Sequence, residues 1–431
     1  MTTGSAPPPQ WPSPYWPGPW SSEDGGPRRL QVPAPGGTVP TVTAGSHPDI
    51  VSRTDPMITM VVTRRPGEVY LLRHTLGDDA VAFVERIDPD TLEPLARSVD
   101  LPGGAMWPGS VAAHGNGSLH VVFGNHAHRL GSDLELLAST ELPRPRPYNG
   151  FVVLPGGTLV AKDFAGSRPT SPVAAGDRVP CQLLALDPDT LAILDACDLP
   201  EPSIARLSAL GDTVYVVGDT SLLRVDWRDG RFVPDDGFRA TYRTMEGQTY
   251  GWDCVLALGA AWFLDDGDGS IGFDGSFEGK GISTAPLHLV RVDLDTAAVT
   301  LTEICGLPGG LIANPPLIDP DRSIVIGFDS GNGVMAAFDI GADGSLTPRW
   351  RRRQNHASHL LLLPAGGVVV SGDHDRGRFC ETVVALDITT GEELVRADTE
   401  GPLQSTVFPA LGHDGTIYWC SMSTVNRLRF D

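Results

Sequence analysis

Ala385-Leu386-Asp387-Ile388-Thr389-Thr390-Gly391-Glu392-Glu393 is an apolar run closed by an aspartate, then a turn, then the start of a second run. The same phrase closes strand-like apolar runs at Ile87-Asp88, Leu186-Asp187, Val225-Asp226, Val292-Asp293, Phe338-Asp339 and Phe430-Asp431. A weaker copy stands at Arg129-Leu130-Gly131, where the aspartate has slipped to Asp133. From Asp88 to Asp431 the copies recur at a mean step of roughly 49 residues, the length of one propeller blade.

Each unit reads as four short strands. The first two form a pair around a Gly-containing turn, as in Phe151 to Leu154, Pro155-Gly156-Gly157 and Thr158 to Lys162. The aspartate-ended strand and a fourth follow. A four-stranded blade cannot bury both of its faces alone, so blades stack radially and close into a ring. The expected fold is all-β, an eight-bladed β-propeller of four-stranded blades. The last unit stops at Asp431 after three strands, so the expectation is a ring closed by an N-terminal strand, from residues 29–32 or 39–43. Residues 1–50 differ in composition. They hold Pro7-Pro8-Pro9 and then Trp11, Tyr15, Trp16 and Trp20 among prolines, and read as an extended arm whose aromatics lie on a single propeller domain spanning 51–431.

Hydrophobic residues make up 41% and charged residues 20%, enough apolar material for a packed core, while 50 glycines and 38 prolines supply tight turns. The formal charge of -21 argues against nucleic acid or an anionic membrane as partner, because each needs a basic face. The six cysteines stand far apart with no C-x-x-C, which reads as reduced, buried thiols rather than a thiolate metal site. Met1 to Gln10 has neither a basic nor an apolar leader region, and no run approaches the ~18 apolar residues of a membrane span. The expectation is a cytoplasmic protein.

The stretch 385–393 resembles the repeat of the eight-bladed PQQ-like propellers, also called quinoprotein alcohol dehydrogenase-like, and the resemblance covers most of residues 57–431. It implies the fold. That family's repeat ends with a tryptophan that docks between blades; here Val395 holds the place, and Trp350 can serve in its own blade. The quinone enzymes of that group resemble secreted proteins with paired cysteines and a metal beside the cofactor, features absent from this sequence, so PQQ is not expected.

In propellers the starts of the innermost strands converge on one mouth of the axial channel, the usual ligand site. Residues a few positions before the Gly turns of those strands are polar or aromatic: Trp107 and Ser110, Tyr148 and Asn149, Arg206, Trp252 and Asp253, Asn314, His356 and His359, and Gln404 with Thr406. Imidazoles can act as acid, base, nucleophile or metal ligand near neutral pH. On a strand His356 and His359 point to opposite faces, so both reach one site only if His356 lies in the preceding loop. The Leu-Leu-Leu-Pro-Ala-Gly-Gly sequel of this block also resembles the His-containing strand of aryl sulfotransferases, a propeller family using histidine as sulfuryl acceptor.

A divalent metal is a further candidate ligand, held by Asp373 and His374 in the loop of the same blade, with His126 and His128 in the equivalent loop across the ring. Asp265-Asp266-Gly267-Asp268-Gly269-Ser270 lacks the downstream bidentate glutamate of a calcium loop, and reads instead as the start of a lid running to His288, like 163–180. Phosphate-binding glycine motifs, G-x-S-x-G and H-E-x-x-H are absent, which disfavours nucleotide chemistry and the common serine and zinc hydrolases.

The leading expectation is an enzyme processing a small-molecule substrate by lyase, isomerase or cyclase acid/base chemistry. His356, His359, Asp253 and Arg206 would be its catalytic groups, and Trp107, Tyr148, Asn149, Trp252, Asn314 and Gln404 its binding surface. The alternatives are a non-catalytic protein-interaction propeller and a metal- or quinone-dependent oxidoreductase.

Overall fold

Eight four-stranded antiparallel sheets stand around a central channel in a computed structural model that describes residues 13–430 apart from 36, 78, 105–106 and 166–177. The innermost strands are Ile58–Thr63, Ser110–Ala113, Tyr148–Val153, Ser208–Leu210, Val255–Ala257, Leu317–Asp319, Leu361–Leu363 and Ala410–Leu411. Those of successive blades touch one another, and nearly all their residues are buried, whereas outer strands such as Leu136–Glu141 and Ile193–Asp198 face water along one side. Burial on both faces is why the inner strands read as unbroken apolar runs. Blade one carries a fifth strand, Leu101–Gly104, paired with Ala80–Ile87.

The recurring aspartate has a physical role. Asp88 Oδ1 accepts the backbone N–H groups of Asp90 and Thr91 at 2.9 and 2.8 Å, and Asp187, Asp293 and Asp387 accept the same pair in their own blades. The carboxylate thus closes an Asx turn between third and fourth strands. The residue four places on is left-handed: Leu92, Leu191 and Ala297 have φ of 64°, 61° and 58°, and Gly391 has 72°. An L side chain there costs about 1–2 kcal/mol. Leu92 and Leu191 offset the strain by burying their side chains, but Ala297 has only a methyl to bury. Ala297→Gly is expected to stabilise the protein by about 0.5 kcal/mol, read as a higher denaturation midpoint, and Leu92→Gly to destabilise it. At Gly391 a Cβ would lie 2.6 Å from the Trp350 ring, whose Nε1 donates to Ile388 O at 2.8 Å, so Trp350 docks its blade onto the next.

The ring is closed by an N-terminal strand, Asp49–Thr54, paired antiparallel with Thr424–Arg429 in the register Asp49 to Arg429. This corrects the expected position of the strand. Arg29 and Gln31 have φ of 55° and 59°, incompatible with an extended strand, and 39–43 contains Pro40, which has no N–H to give a ladder.

The segment before the closing strand crosses the channel instead. Trp16 N donates to Ala113 O, Ala113 N to Ser21 O, Thr63 N to Trp20 O, Ala209 N to Pro27 O, Leu256 N to Arg28 O and Leu362 N to Gln31 O, all at 2.7–2.9 Å. Tyr15 Oη accepts from Val153 N at 2.8 Å, and Gln31 Nε2 donates to Pro316 O at 2.7 Å. The segment therefore occupies backbone groups that six inner strands, and the residue just before a seventh, turn toward the channel, groups that would otherwise be stranded. Trp20 is 1% exposed, which explains how a proline-rich stretch keeps its tryptophan out of water. Trp11 lies outside the described residues.

Candidate functional site

The crossing segment brings Glu23, Asp24 and Arg29 to the centre of the ring, each less than 5% exposed. Three residues of this stretch, Asp24, Arg29 and Gln31, hold left-handed φ, a strain sustained by the contacts they make. Arg29 reaches Asp24 Oδ2 at 2.6 Å and Glu23 Oε1 at 2.7 Å, donates from Nε to Leu207 O at 2.9 Å, and stands 3.7 Å from Asp253 Oδ2. Arg206 reaches Glu23 Oε2 at 2.7 Å and the carbonyls of Pro108 and Gly109, while its backbone N donates to Asp253 Oδ1 at 2.6 Å.

His359 Nδ1 lies 2.8 Å from Asp24 Oδ1. The contact is too far off line to count as a hydrogen bond, so it is chiefly Coulombic. Burial pushes the Asp24 carboxyl up, but His359 and Arg29 against it outweigh that and hold it below the usual carboxylate range. The His359 ring stacks on Phe408 at 4.0 Å, and its buried Nδ1 makes no hydrogen bond among the described residues. On the other side of this floor is a cavity of about 270 Å³, walled by Trp107, Trp252, Phe273, Phe277 and Phe408 and bordered by Arg206, Asn314, His359, Thr406 and Ser270. Phe273 and Phe277 belong to the long loop after Asp265, so the loop read in the sequence as a lid supplies part of the cavity wall. The loop is held there by Gln404, whose Oε1 accepts from Phe277 N at 2.7 Å, and by Asp265, which accepts from His288 Nδ1 at 2.9 Å. Most of the other expected lid, 163–180, lies outside the described residues.

Of the residues singled out in the sequence, Trp107, Arg206, Trp252, Asn314, His359 and Thr406 line one cavity, and Asp253 lies beneath it, beside Arg29. The others are elsewhere. Tyr148 and Asn149 belong to the inner strand of blade three, with Asn149 Nδ2 donating to Ile204 O at 2.9 Å, and Gln404 holds the lid rather than the cavity wall. His356 points away, edge-on to Phe328 at 4.5 Å, with Nδ1 accepting from Gly372 N at 3.2 Å. Both imidazoles lie in the loop before Leu361–Leu363 rather than on a strand, and the path of that loop aims them apart.

Asp373 pairs with Arg396 at 2.8 Å and His374 Nε2 meets Pro402 O at 3.0 Å, while His126 and His128 stack on one another in blade two, with His128 Nε2 against Pro102 O at 2.8 Å. These four do not converge. Among the described residues the group that could hold a metal is Asp24, Asp253 and His359, whose ligand atoms lie within 4.8 Å of one another. Arg29 already stands at 2.6 and 3.7 Å from the two carboxylates and supplies the positive charge there. A quinone with several carboxylates, as in PQQ, would need free cationic donors. The guanidinium groups of Arg206 and Arg29 are committed to Glu23, Asp24 and backbone carbonyls, so the residues present do not fit that cofactor.

Three other buried histidines predict an acid response. Burial pushes His356 down to about 3 and His128 to about 4, and His120 falls well below its usual range. Unfolded histidine binds its proton near pH 6.5, so as pH falls below that value the unfolded chain gains protons the folded one refuses, and stability declines. Urea midpoints are expected to drop between about pH 7.5 and about pH 5, and the drop to shrink in His356→Gln. An unchanged slope in that variant would contradict the assignment.

An all-β ring of eight blades with an aromatic cavity at one mouth defines the class of protein. No family model matches the chain, and no curated protein is similar to it at a significant level. Solved structures share the fold. A quinohemoprotein alcohol dehydrogenase from Pseudomonas putida HK5 is similar over 96% of this chain and 80% of its own, with 12% identity and a TM-score of 0.62. BamB from Moraxella catarrhalis is similar over 89% of this chain and 100% of its own, at 13% identity and a TM-score of 0.55. The Dos1 propeller matches 88% of this chain and 94% of its own, at 12% identity and a TM-score of 0.57. The chain thus shares the propeller fold of these structures, and the neighbours differ in function, so the likeness carries architecture alone.

Proposed function

We propose that this protein is an enzyme acting on a small organic molecule at the mouth of its channel, by proton transfer through His359. The observation that carries this reading is the His359–Asp24 pair at the floor of an aromatic cavity. A buried carboxylate places a negative charge against Nδ1, and Nε2 is the nitrogen left to exchange a proton with a bound molecule. Arg206 and Arg29 neutralise Glu23 and Asp253 and hold the floor in place, and the Phe273–Phe277 stretch of the lid excludes water. Such a constellation suits lyase, isomerase or cyclase chemistry, which asks for a placed acid/base and an apolar cup.

The test is incubation of the full chain in D₂O with a pooled small-molecule extract, scored by mass spectrometry for deuterium uptake or changed mass. A compound altered by wild type but untouched by His359→Gln supports the reading; none altered, or equal change with both proteins, refutes it. A second reading, a protein-docking face, rests on Leu76, Ile282 and Phe379, which are 64%, 60% and 72% exposed in loops between second and third strands.

A further inference from the structure

We infer that the cavity selects an uncharged, planar aromatic molecule carrying a hydroxyl, with that hydroxyl against His359. This deepens the proposed function and rests on its reading of the cavity as a small-molecule site. Five aromatic side chains form the wall, so most of the contact available to a ligand is with ring faces and edges. The volume of about 270 Å³ lies just under the ~300–1,000 Å³ usual for ligand pockets, which favours a compact, two-ring molecule over a larger one.

Charge decides the rest. An anionic ligand needs a cation with donors to spare, and Arg206, the guanidinium in the wall, already gives its terminal nitrogens to Glu23, Pro108 O and Gly109 O while lying over Phe408 at 4.8 Å. The whole chain, at -21, also repels anions on approach. An aromatic wall could otherwise welcome an ammonium group. Here the same Arg206 stands in the wall and opposes it, and the carboxylates of Glu23, Asp24 and Asp253 lie beneath the floor, buried and facing Arg29. A neutral ligand remains. Among the described residues Ser270 Oγ is a buried wall atom with no hydrogen-bond partner, and His359, whose Nδ1 faces Asp24, borders the same cavity. Asn314, by contrast, spends its Nδ2 on Ala357 O and Thr406 O. A hydroxyl is the neutral group that can both give a proton to an imidazole and take one from it.

Calorimetric titration of the full chain with 2-naphthol, 2-naphthoate, 2-naphthyltrimethylammonium and 2-methoxynaphthalene tests this. We expect 2-naphthol to bind at least about tenfold more tightly than each of the others, a gap of about 1.4 kcal/mol. His359→Gln should bring 2-naphthol down to the level of 2-methoxynaphthalene, and Phe273→Ala should weaken all four. Equal or tighter binding of either charged probe overturns the inference. So does failure of all four to bind, even where the D₂O experiment finds a substrate, in which case the acid/base reading survives and the ligand class is wrong. Selective 2-naphthol binding without any turned-over compound leaves the ligand class standing and removes the enzymatic reading.

Discussion

Arg29→Met is expected to destabilise the propeller by about 3–5 kcal/mol, the range for removing one partner from a buried ionic cluster. Arg29 is 1% exposed and stands among Glu23, Asp24 and Asp253, with Arg206 the other guanidinium in the group. Burial acts against its charge, yet the three carboxylates prevail and keep it firmly protonated. Without it, Asp24 and Asp253 would be left in a dry interior with no guanidinium in contact, and Leu207 O would lose its donor. The residue also anchors the segment that occupies the inner-strand edges, so the damage should spread along the channel. The check is a urea midpoint for Arg29→Met and for the double variant with Asp253→Asn. Removing one carboxylate as well should recover part of the loss, because fewer charges are then stranded. A single variant as stable as wild type would mean that the cluster is solvated.

The fold was readable because its cause is local and repeated. Asp88, Asp187, Asp293 and Asp387 each close a turn with their own side chain, so the physical device and the sequence signal are the same residue. The mouth was partly readable for a related reason. Trp107, Arg206, Trp252, Asn314 and His359 all sit just before inner strands, and strand starts can be counted from the Gly turns. Where counting failed, the missing information was rotational. His356 and His359 are three residues apart, and only the backbone decides which ring turns inward. Tyr148 begins its strand and is buried in the blade, although its sequence position looks like that of Trp107. Glu23 and Asp24 escaped notice altogether. They lie in a segment with no periodicity, whose place in the fold is set by contacts with distant parts of the chain, as in the bond from Leu360 N to Gln31 Oε1, 329 residues apart. The one local hint is the acidic pair followed by Gly25-Gly26, where a Cβ on Gly25 would meet Val32 O at 2.3 Å.

That concealed carboxylate sets the second large effect. On the substrate found by isotope exchange, His359→Gln is expected to lower kcat/KM by about 10²–10⁴, the usual share of a placed acid/base group. Glutamine keeps approximate size and polarity but cannot carry the proton, and the ring lost from Phe408 is replaced by an amide that still fits beneath the cavity. Asp24→Asn should cost less, because the imidazole remains, and should leave a mark of its own. Burial notwithstanding, His359 and Arg29 hold the Asp24 carboxyl below the usual carboxylate range, so a neutral amide there removes a charge 2.8 Å from Nδ1 and the acidic limb of the pH–rate profile is expected to move. A merely structural Asp24 would reduce the rate evenly at every pH. If Asp24→Asn reproduces the wild-type profile while His359→Gln is inactive, histidine acts alone and the crossing segment is only a plug; if the limb moves, a residue from outside the repeats helps to run the chemistry that the repeats enclose.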